Sequence, residues 1–437
     1  MRHPILNGRE LTGVATVADV IDQSGDSMKR STQTAVGAGS RGRRLLLPAA
    51  AVAAVTFLSS CAKDAPQDVF QPKGDNSRNI DNLQRTPFYI AGVVFFIVFG
   101  AVLLCVFKYR DRGQAIPKQT HGKPALEIAL TIIPAIILVG VGIPTVKTLF
   151  MLSKTSDTQC VINVTGQQWW WEYDYPVQEG CGGITAPIVT SGQIVFPAKT
   201  NVLLKITSRD VIHSFWIPAL NGKRDAVPGR VHTLRMEADK PGIYAGQCTE
   251  FCGLSHAYMR MEAVALDGTG FEQWKTNQLA AYQAPAAGTP AATGESTFLA
   301  QCSRCHQVNG VQSADGKPVI SRPDLYVYSG AAPNLTNLMT RTSFAGASFD
   351  LLTPACRKQL WTAKPADFTA VYLQGVTPEC LDTVQLREWL RNAPGKKPMY
   401  ANPAKLGPTN GKTRGMPNLN LTENQIDQII SYLTERK

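Results

Sequence analysis

Gln247-Cys248-Thr249-Glu250-Phe251-Cys252-Gly253-Leu254-Ser255-His256-Ala257-Tyr258-Met259 is the stretch on which the reading of this chain turns. Two thiols four residues apart, an imidazole four further on and a thioether three beyond that gather soft ligands on one short loop, a set suited to copper. A second imidazole, His213, lies upstream in Asp210-Val-Ile-His-Ser-Phe-Trp-Ile-Pro218. A mononuclear copper loop uses one Cys. Two Cys let both thiolates bridge a pair of ions and spread the odd electron over them, which lowers reorganisation on electron transfer. The alternatives, a structural zinc site or a disulfide, would need neither Met259 nor two aromatic-flanked His. Around this loop, from Cys160 to Leu266, the text is strand-like. Short Val, Ile, Thr and aromatic runs such as Gln193 to Phe196 and Val202 to Ile206, broken by Gly, Pro and Asn, predict an antiparallel β-sandwich.

Upstream lie two segments long enough to cross a membrane. Phe88 to Phe107 carries no charge, and Leu126 to Phe150 only Glu127 and Lys147 near its ends. Pro134 and Pro144 are tolerable where packed neighbours satisfy the freed backbone. Lys108, Arg110, Arg112, Lys118 and Lys123 face Asp111 alone in the short connection, so the positive-inside rule puts that loop in the cytoplasm. Both ends and the soluble domains then face outward. Farther back, Arg41, Arg43 and Arg44 precede the apolar run Leu45 to Leu58, the pattern of a secretory leader. Leu58-Ser-Ser-Cys61 resembles a bacterial lipobox, with Cys61 as the lipid anchor; an ordinary signal-peptide cut is the alternative, and translation could start at Met28.

A chain of 437 residues allows two to four domains. Of its net charge of +11, the first 60 residues hold seven Lys or Arg against four Asp or Glu, and no basic run tracks phosphates; nucleic acid is excluded as a partner. Gln283 to Gly294 is a Pro, Ala and Gly tract read as a linker. Beyond it, Thr422 and Gln425 form a capping box, and Ile426, Ile429, Ile430 and Leu433 repeat at helical spacing. Cys302-Ser-Arg-Cys305-His306 is the attachment motif of c-type haem, two thioethers and a proximal imidazole. Met339, Met399 and Met416 compete for the sixth position; Met416, in Gly-Met-Pro just before the capped helix, is favoured. Cys160 with Cys181 and Cys356 with Cys380 remain, and an oxidising compartment makes each pair a candidate disulfide.

Together with Leu126-Glu-Ile-Ala-Leu-Thr-Ile-Ile-Pro134 and Gly166-Gln-Gln-Trp-Trp-Trp-Glu-Tyr173, these motifs make residues 80 to 280 resemble bacterial cytochrome c oxidase subunit II. The resemblance implies a membrane protein with a two-helix transmembrane hairpin, an all-β cupredoxin domain and, from the haem motif, an all-α cytochrome c domain, as in caa3-type oxidases. The boundaries are 1–60 leader, 61–87 outer segment, 88–150 hairpin, 151–282 cupredoxin, 283–294 linker and 295–437 cytochrome c. It implies binuclear CuA held by His213, Cys248, Glu250 through its carbonyl, Cys252, His256 and Met259, with the Glu250 carboxylate reaching a magnesium ion at the subunit I interface. Haem c would use Cys302, Cys305, His306 and Met416. Trp169 would be where electrons reach CuA and Glu127 the mouth of a proton path; Trp170 departs from the family's usual Tyr or Phe. Partners would be subunits I and III and a donor such as a cytochrome bc complex or a cytochrome c. Tethering raises the effective haem concentration at CuA, so a weak, mobile contact between the two domains is expected. A nitric oxide reductase type subunit and a stand-alone electron-carrier lipoprotein are the other classes.

Overall fold

The computed structural model describes residues 65–113, 121–308, 332–400 and 415–436. The leader, Met28, Cys61 and Lys118 lie outside them.

The first long helix, α1 (Asp75–Lys108), begins well before its apolar run. Its start is set by Gly74, whose extended backbone amide donates to Ser77 Oγ at 3.2 Å, and by Asp75 in the first turn, where negative charge suits the helix dipole. α2 (Pro124–Leu152) opens on Pro124, a residue that lacks the amide the first turn would leave unbonded. Apolar side chains along both helices are exposed, Phe96 and Leu138 among them. Two such helices need a bilayer to cover them. The first turn of α1 also grips the β domain, because Asn76 and Arg235 exchange two hydrogen bonds of 2.9 Å and Ser77 Oγ donates to the Ala219 carbonyl at 2.7 Å.

The β domain contains β1 (Cys160–Gln167), β2 (Trp170–Tyr175), β3 (Ile188–Ser191), β4 (Gln193–Pro197), β5 (Val202–Ser208), β6 (His213–Phe215), β7 (Arg224–Ala226), β8 (His232–Met236), β9 (Gly242–Gln247) and β10 (Arg260–Leu266). One sheet has the order β3-β2-β1-β5-β8, a second β4-β10-β9, and β6 pairs with β7. The antiparallel expectation needs correction: β1 with β5 and β4 with β10 run parallel. The chain leaves β1 through two antiparallel strands and enters the other sheet at β4 before returning as β5, a crossover long enough for parallel pairing. Cys160, Ile162 and Val164 point inward at period two, against Ile194 and Phe196 of the facing sheet.

The β domain is not purely β. α3 (Gly268–Gln278) follows β10, capped by Asp267 Oδ1 accepting from the Gly270 amide at 2.8 Å, and buries Phe271 and Trp274. The expected linker is shorter than 283–294: Thr289 caps α4 (Pro290–Gln301), with Pro290 in its first turn. The helical C-terminal region continues through the short hairpin β11 (Ser343–Phe344) and β12 (Phe349–Asp350), α5 (Pro354–Trp361), α6 (Pro365–Leu373), α7 (Thr383–Arg391) and α8 (Glu423–Thr434), whose capping box is Thr422 with Gln425. α4 crosses α8 at Gly294, where a Cβ would come within 1.9 Å of the Gln428 carbonyl oxygen, so only glycine permits the approach. Phe298 and Tyr432 pack beside the crossing, ring centroids 5.4 Å apart. Cys160 pairs with Cys181 and Cys356 with Cys380.

The expected weak contact is replaced by a continuous buried seam. Glu262 of β10 accepts from Gln193 Nε2 and from Ser343 Oγ, each at 2.7 Å, and Arg341 donates to Ser191 Oγ at 3.0 Å. Tyr372 OH reaches Gln193 Oε1 at 3.2 Å. Buried polar groups gain only when every partner is present, so such a seam defines a single register.

Candidate metal centre and the cavity beside it

His213 sits at the start of β6, while Cys248, Cys252, His256 and Met259 come from the loop between β9 and β10. Strand pairing on both sides of that loop brings its ends together, since the Cys248 amide donates to the Met259 carbonyl at 2.9 Å. The Sγ atoms of Cys248 and Cys252 are 3.8 Å apart. His213 Nδ1 lies 4.0 Å from Cys248 Sγ, His256 Nδ1 3.5 Å and Met259 Sδ 3.8 Å from Cys252 Sγ. The Glu250 carbonyl oxygen lies 3.3 Å from Cys248 Sγ, with its own side chain exposed. The ligand atoms of His213, Cys248 and Cys252 all fall within 4.8 Å of one another, and all three residues are buried. Five soft or borderline donors and one carbonyl oxygen thus gather on this loop and strand end, and the chemistry of this set fits a copper centre.

The electrostatics agree. The hydrogen bond from Cys252, with further help from His213, holds the Cys248 thiol well below the usual range despite burial; the same contact and burial push Cys252 up. A metal that binds both thiols must displace the protons they carry, so its binding strengthens as pH rises. Burial opposes protonation of His213, but Asp210 and Cys248 outweigh it and raise its pKa. Asp210 Oδ1 lies 2.8 Å from His213 Nε2, which turns Nδ1 toward the sulfurs. Gly166 backs the same ring; a Cβ there would meet His213 Cδ2 at 2.8 Å. Neither Asp210 nor Gly166 was singled out from sequence as a site residue, although a carboxylate three residues before a ligand His is a usable signal.

The haem motif occupies the turn after α4, with Cys302 buried and Cys305 half-buried. Burial pushes the Cys302 thiol up to about 12 and raises that of Cys305. His306 Nδ1 lies 2.7 Å from the Pro333 carbonyl, which puts the ring lone pair on Nε2, and burial lowers its pKa. All three residues line a cavity of 240 Å³ walled by apolar side chains such as Phe298, Leu335 and Ile429. Arg341 also lines it, a buried guanidinium held only by neutral groups among the described residues. A flat apolar group carrying acidic substituents fits this cavity, and covalent haem is such a group. Met399 and Met416 reach the cavity; Met339, buried elsewhere, does not line it.

Trp169 lies between the two centres. Its Nε1 donates to the Cys252 carbonyl at 3.0 Å, its ring packs on Tyr400 at 5.4 Å, and it lines the same cavity. Far from solvent docking, it is buried. Glu127 lies apart from both centres, exposed in the first turn of α2.

Two apolar helices carrying a two-sheet β domain, with thiols, imidazoles and a thioether gathered at one end, define a membrane-bound cupredoxin-like metal protein. Residues 69–148 match the family described as cytochrome c oxidase subunit II, transmembrane domain, and residues 182–265 its periplasmic domain. Cytochrome c oxidase subunit 2 of Alkalihalophilus pseudofirmus is 34% identical over 288 residues, 64% of this chain and 81% of that one. The Cereibacter sphaeroides subunit is 30% identical over 280 residues, covering 56% of this chain and 92% of that one. Among solved structures, the periplasmic domain of cytochrome oxidase subunit II from Bradyrhizobium japonicum is 29% identical, with a TM-score of 0.26, covering 29% of this chain and 96% of that one. This chain belongs to the cytochrome c oxidase subunit II family. It is a two-span membrane protein whose periplasmic domain is the CuA domain of cytochrome c oxidase subunit II.

Proposed function

We propose that this chain takes single electrons from an external donor, a cytochrome bc complex or a cytochrome c, and delivers them to subunit I, where oxygen is reduced to water. The observation that carries the reading is that the haem motif and the copper-type cluster share one wall, Trp169, whose indole bonds the Cys252 carbonyl. His213, Cys248, the Glu250 carbonyl, Cys252, His256 and Met259 would hold two coppers, and Cys302, Cys305 and His306 a covalent haem. When bound, the copper pair supplies a one-electron site of low reorganisation energy and the haem a second one-electron site. Met416 would supply the thioether to that haem, since the Met399 sulfur already accepts the Met416 amide at 3.2 Å.

The chain's own residues do the positioning. Asp210 orients His213, Pro333 orients His306, and the buried Arg341 guanidinium would neutralise acidic haem substituents. The exposed Glu250 side chain is free to reach a magnesium ion at the subunit I face. Glu127 would take up protons at the cytoplasmic end of α2, and Cys61 would carry the lipid anchor. In this reading the complex is of caa3 type and includes subunit III.

The full chain, purified in detergent, should contain two coppers and one covalently bound haem, with a mixed-valence copper EPR spectrum. Cys252→Ser should abolish that spectrum and leave the haem attached. One copper per wild-type chain, or no covalent haem, would overturn the reading.

A further inference from the structure

Lys397 belongs to the C-terminal region, yet its ammonium is buried at the copper loop. Nζ donates to the carbonyls of Trp169 at 2.7 Å, Ala345 at 2.8 Å and Tyr258 at 3.1 Å. An ammonium has three hydrogens, and these acceptors use all of them. Among the described residues no carboxylate pairs with it, and its three hydrogen bonds all go to backbone carbonyls. Burying an ion in this way is unfavourable by several kcal/mol unless its hydrogen bonds are complete. The position therefore tolerates only the docked geometry.

Two of the three carbonyls belong to the β domain, one at the shared wall and one beside Met259. The third lies in the β11–β12 turn, where Gly346 has a positive φ and a Cβ would come within 2.7 Å of the Trp169 carbonyl oxygen. The Gly346 carbonyl in turn accepts the Arg260 amide at 3.0 Å. Ser255 Oγ donates to the Pro398 carbonyl, and Ser348 Oγ to that of Tyr258. Met399, a cavity-lining residue, follows two positions after Lys397. A single side chain thus ties the wall of the haem-type cavity to the loop that carries Cys252 and Met259.

We propose that Lys397 is a positioning residue that locks the C-terminal region onto the copper loop, so that electrons cross between the two centres through a fixed contact rather than by a tethered domain searching for its dock. The inference rests on the two-centre reading above. In the purified oxidase complex, Lys397→Met removes the ammonium while keeping an unbranched chain of similar length. Both centres should keep their optical and EPR spectra. Electron transfer from photoreduced haem to copper should slow on the order of tenfold or more, as misplacement of reacting groups does. The haem-to-copper distance distribution from pulsed EPR should broaden, and the rate should become dependent on solvent viscosity. Measurements belong near pH 6, because burial draws the Lys397 pKa down to about 7.

An unchanged rate and distribution in Lys397→Met would overturn the lock. Should that variant fail to assemble, the wild-type complex decides: a fixed contact gives a rate independent of viscosity and salt, and a rate that falls as viscosity rises refutes it. Absence of haem or copper from the wild type would refute the two-centre reading instead.

Discussion

Replacing Asp210 by Asn tests whether the copper loop depends on a residue that touches no metal. The carboxylate accepts from the Gln168 amide at 2.8 Å through Oδ2, and from the Val211 amide at 2.8 Å through Oδ1, which also meets His213 Nε2 at 2.8 Å. Burial works against the charged form, yet His213 and the two amides outweigh it and hold the Asp210 pKa below the usual carboxylate range. A folded-state pKa below the unfolded one means stabilisation that is complete above the unfolded pKa and lost as pH falls through the folded value. At neutral pH the group is ionised. A carboxamide has one acceptor oxygen for this ring of donors, so its NH2 must face either the Gln168 amide or the His213 and Val211 N–H groups. Exchanging a charged acceptor for a neutral one costs about 1 to 2 kcal/mol. That corresponds to copper binding weakened by about 5- to 30-fold, in keeping with outer-shell changes at other metal sites. Competition titration of copper against a chelator, on the full chain in detergent, measures this directly. The haem spectrum should not change. Copper affinity within about twofold of wild type would refute the argument that Asp210 sets the His213 ring.

Two further outcomes are expected. Met416→Ala should remove the thioether-to-iron charge-transfer band and lower the haem potential with the haem still attached, whereas Met399→Ala should not; the reverse would make Met399 the axial ligand. Lys275→Met should lower stability by about 2 kcal/mol in urea titrations and leave the copper spectrum intact, because Lys275 Nζ donates to the carbonyls of Cys181 and Gly182 at 2.8 Å and of Gly183 at 3.0 Å, away from the metal loop.

What could be read from sequence was whatever local chemistry writes in consecutive residues. Charge-free runs the length of a bilayer mark α1 and α2, the cap of α8 lies in Thr422 and Gln425, and Cys248 to Met259 carries five of the six copper-type donors on one loop. Those features depend on neighbours a few residues apart, so spacing is sufficient. His213 is distant in sequence but carried its own aromatic context.

The rest depended on contacts across long separations. The parallel pairing of β1 with β5 follows from where the chain changes sheets, which strand composition does not encode. Lys397 reads in sequence as one of two lysines before a proline, a solvated pair by every local criterion; only the packing of the C-terminal region against β10 and the copper loop turns it inward onto three carbonyls. Mobility was the reasonable expectation for a domain behind a Pro, Ala and Gly tract. Tertiary structure reversed it, because Glu262, Gln193, Ser343 and Arg341 find their partners only across the seam, and a buried polar group without its partner is costly enough to hold the two halves in one register.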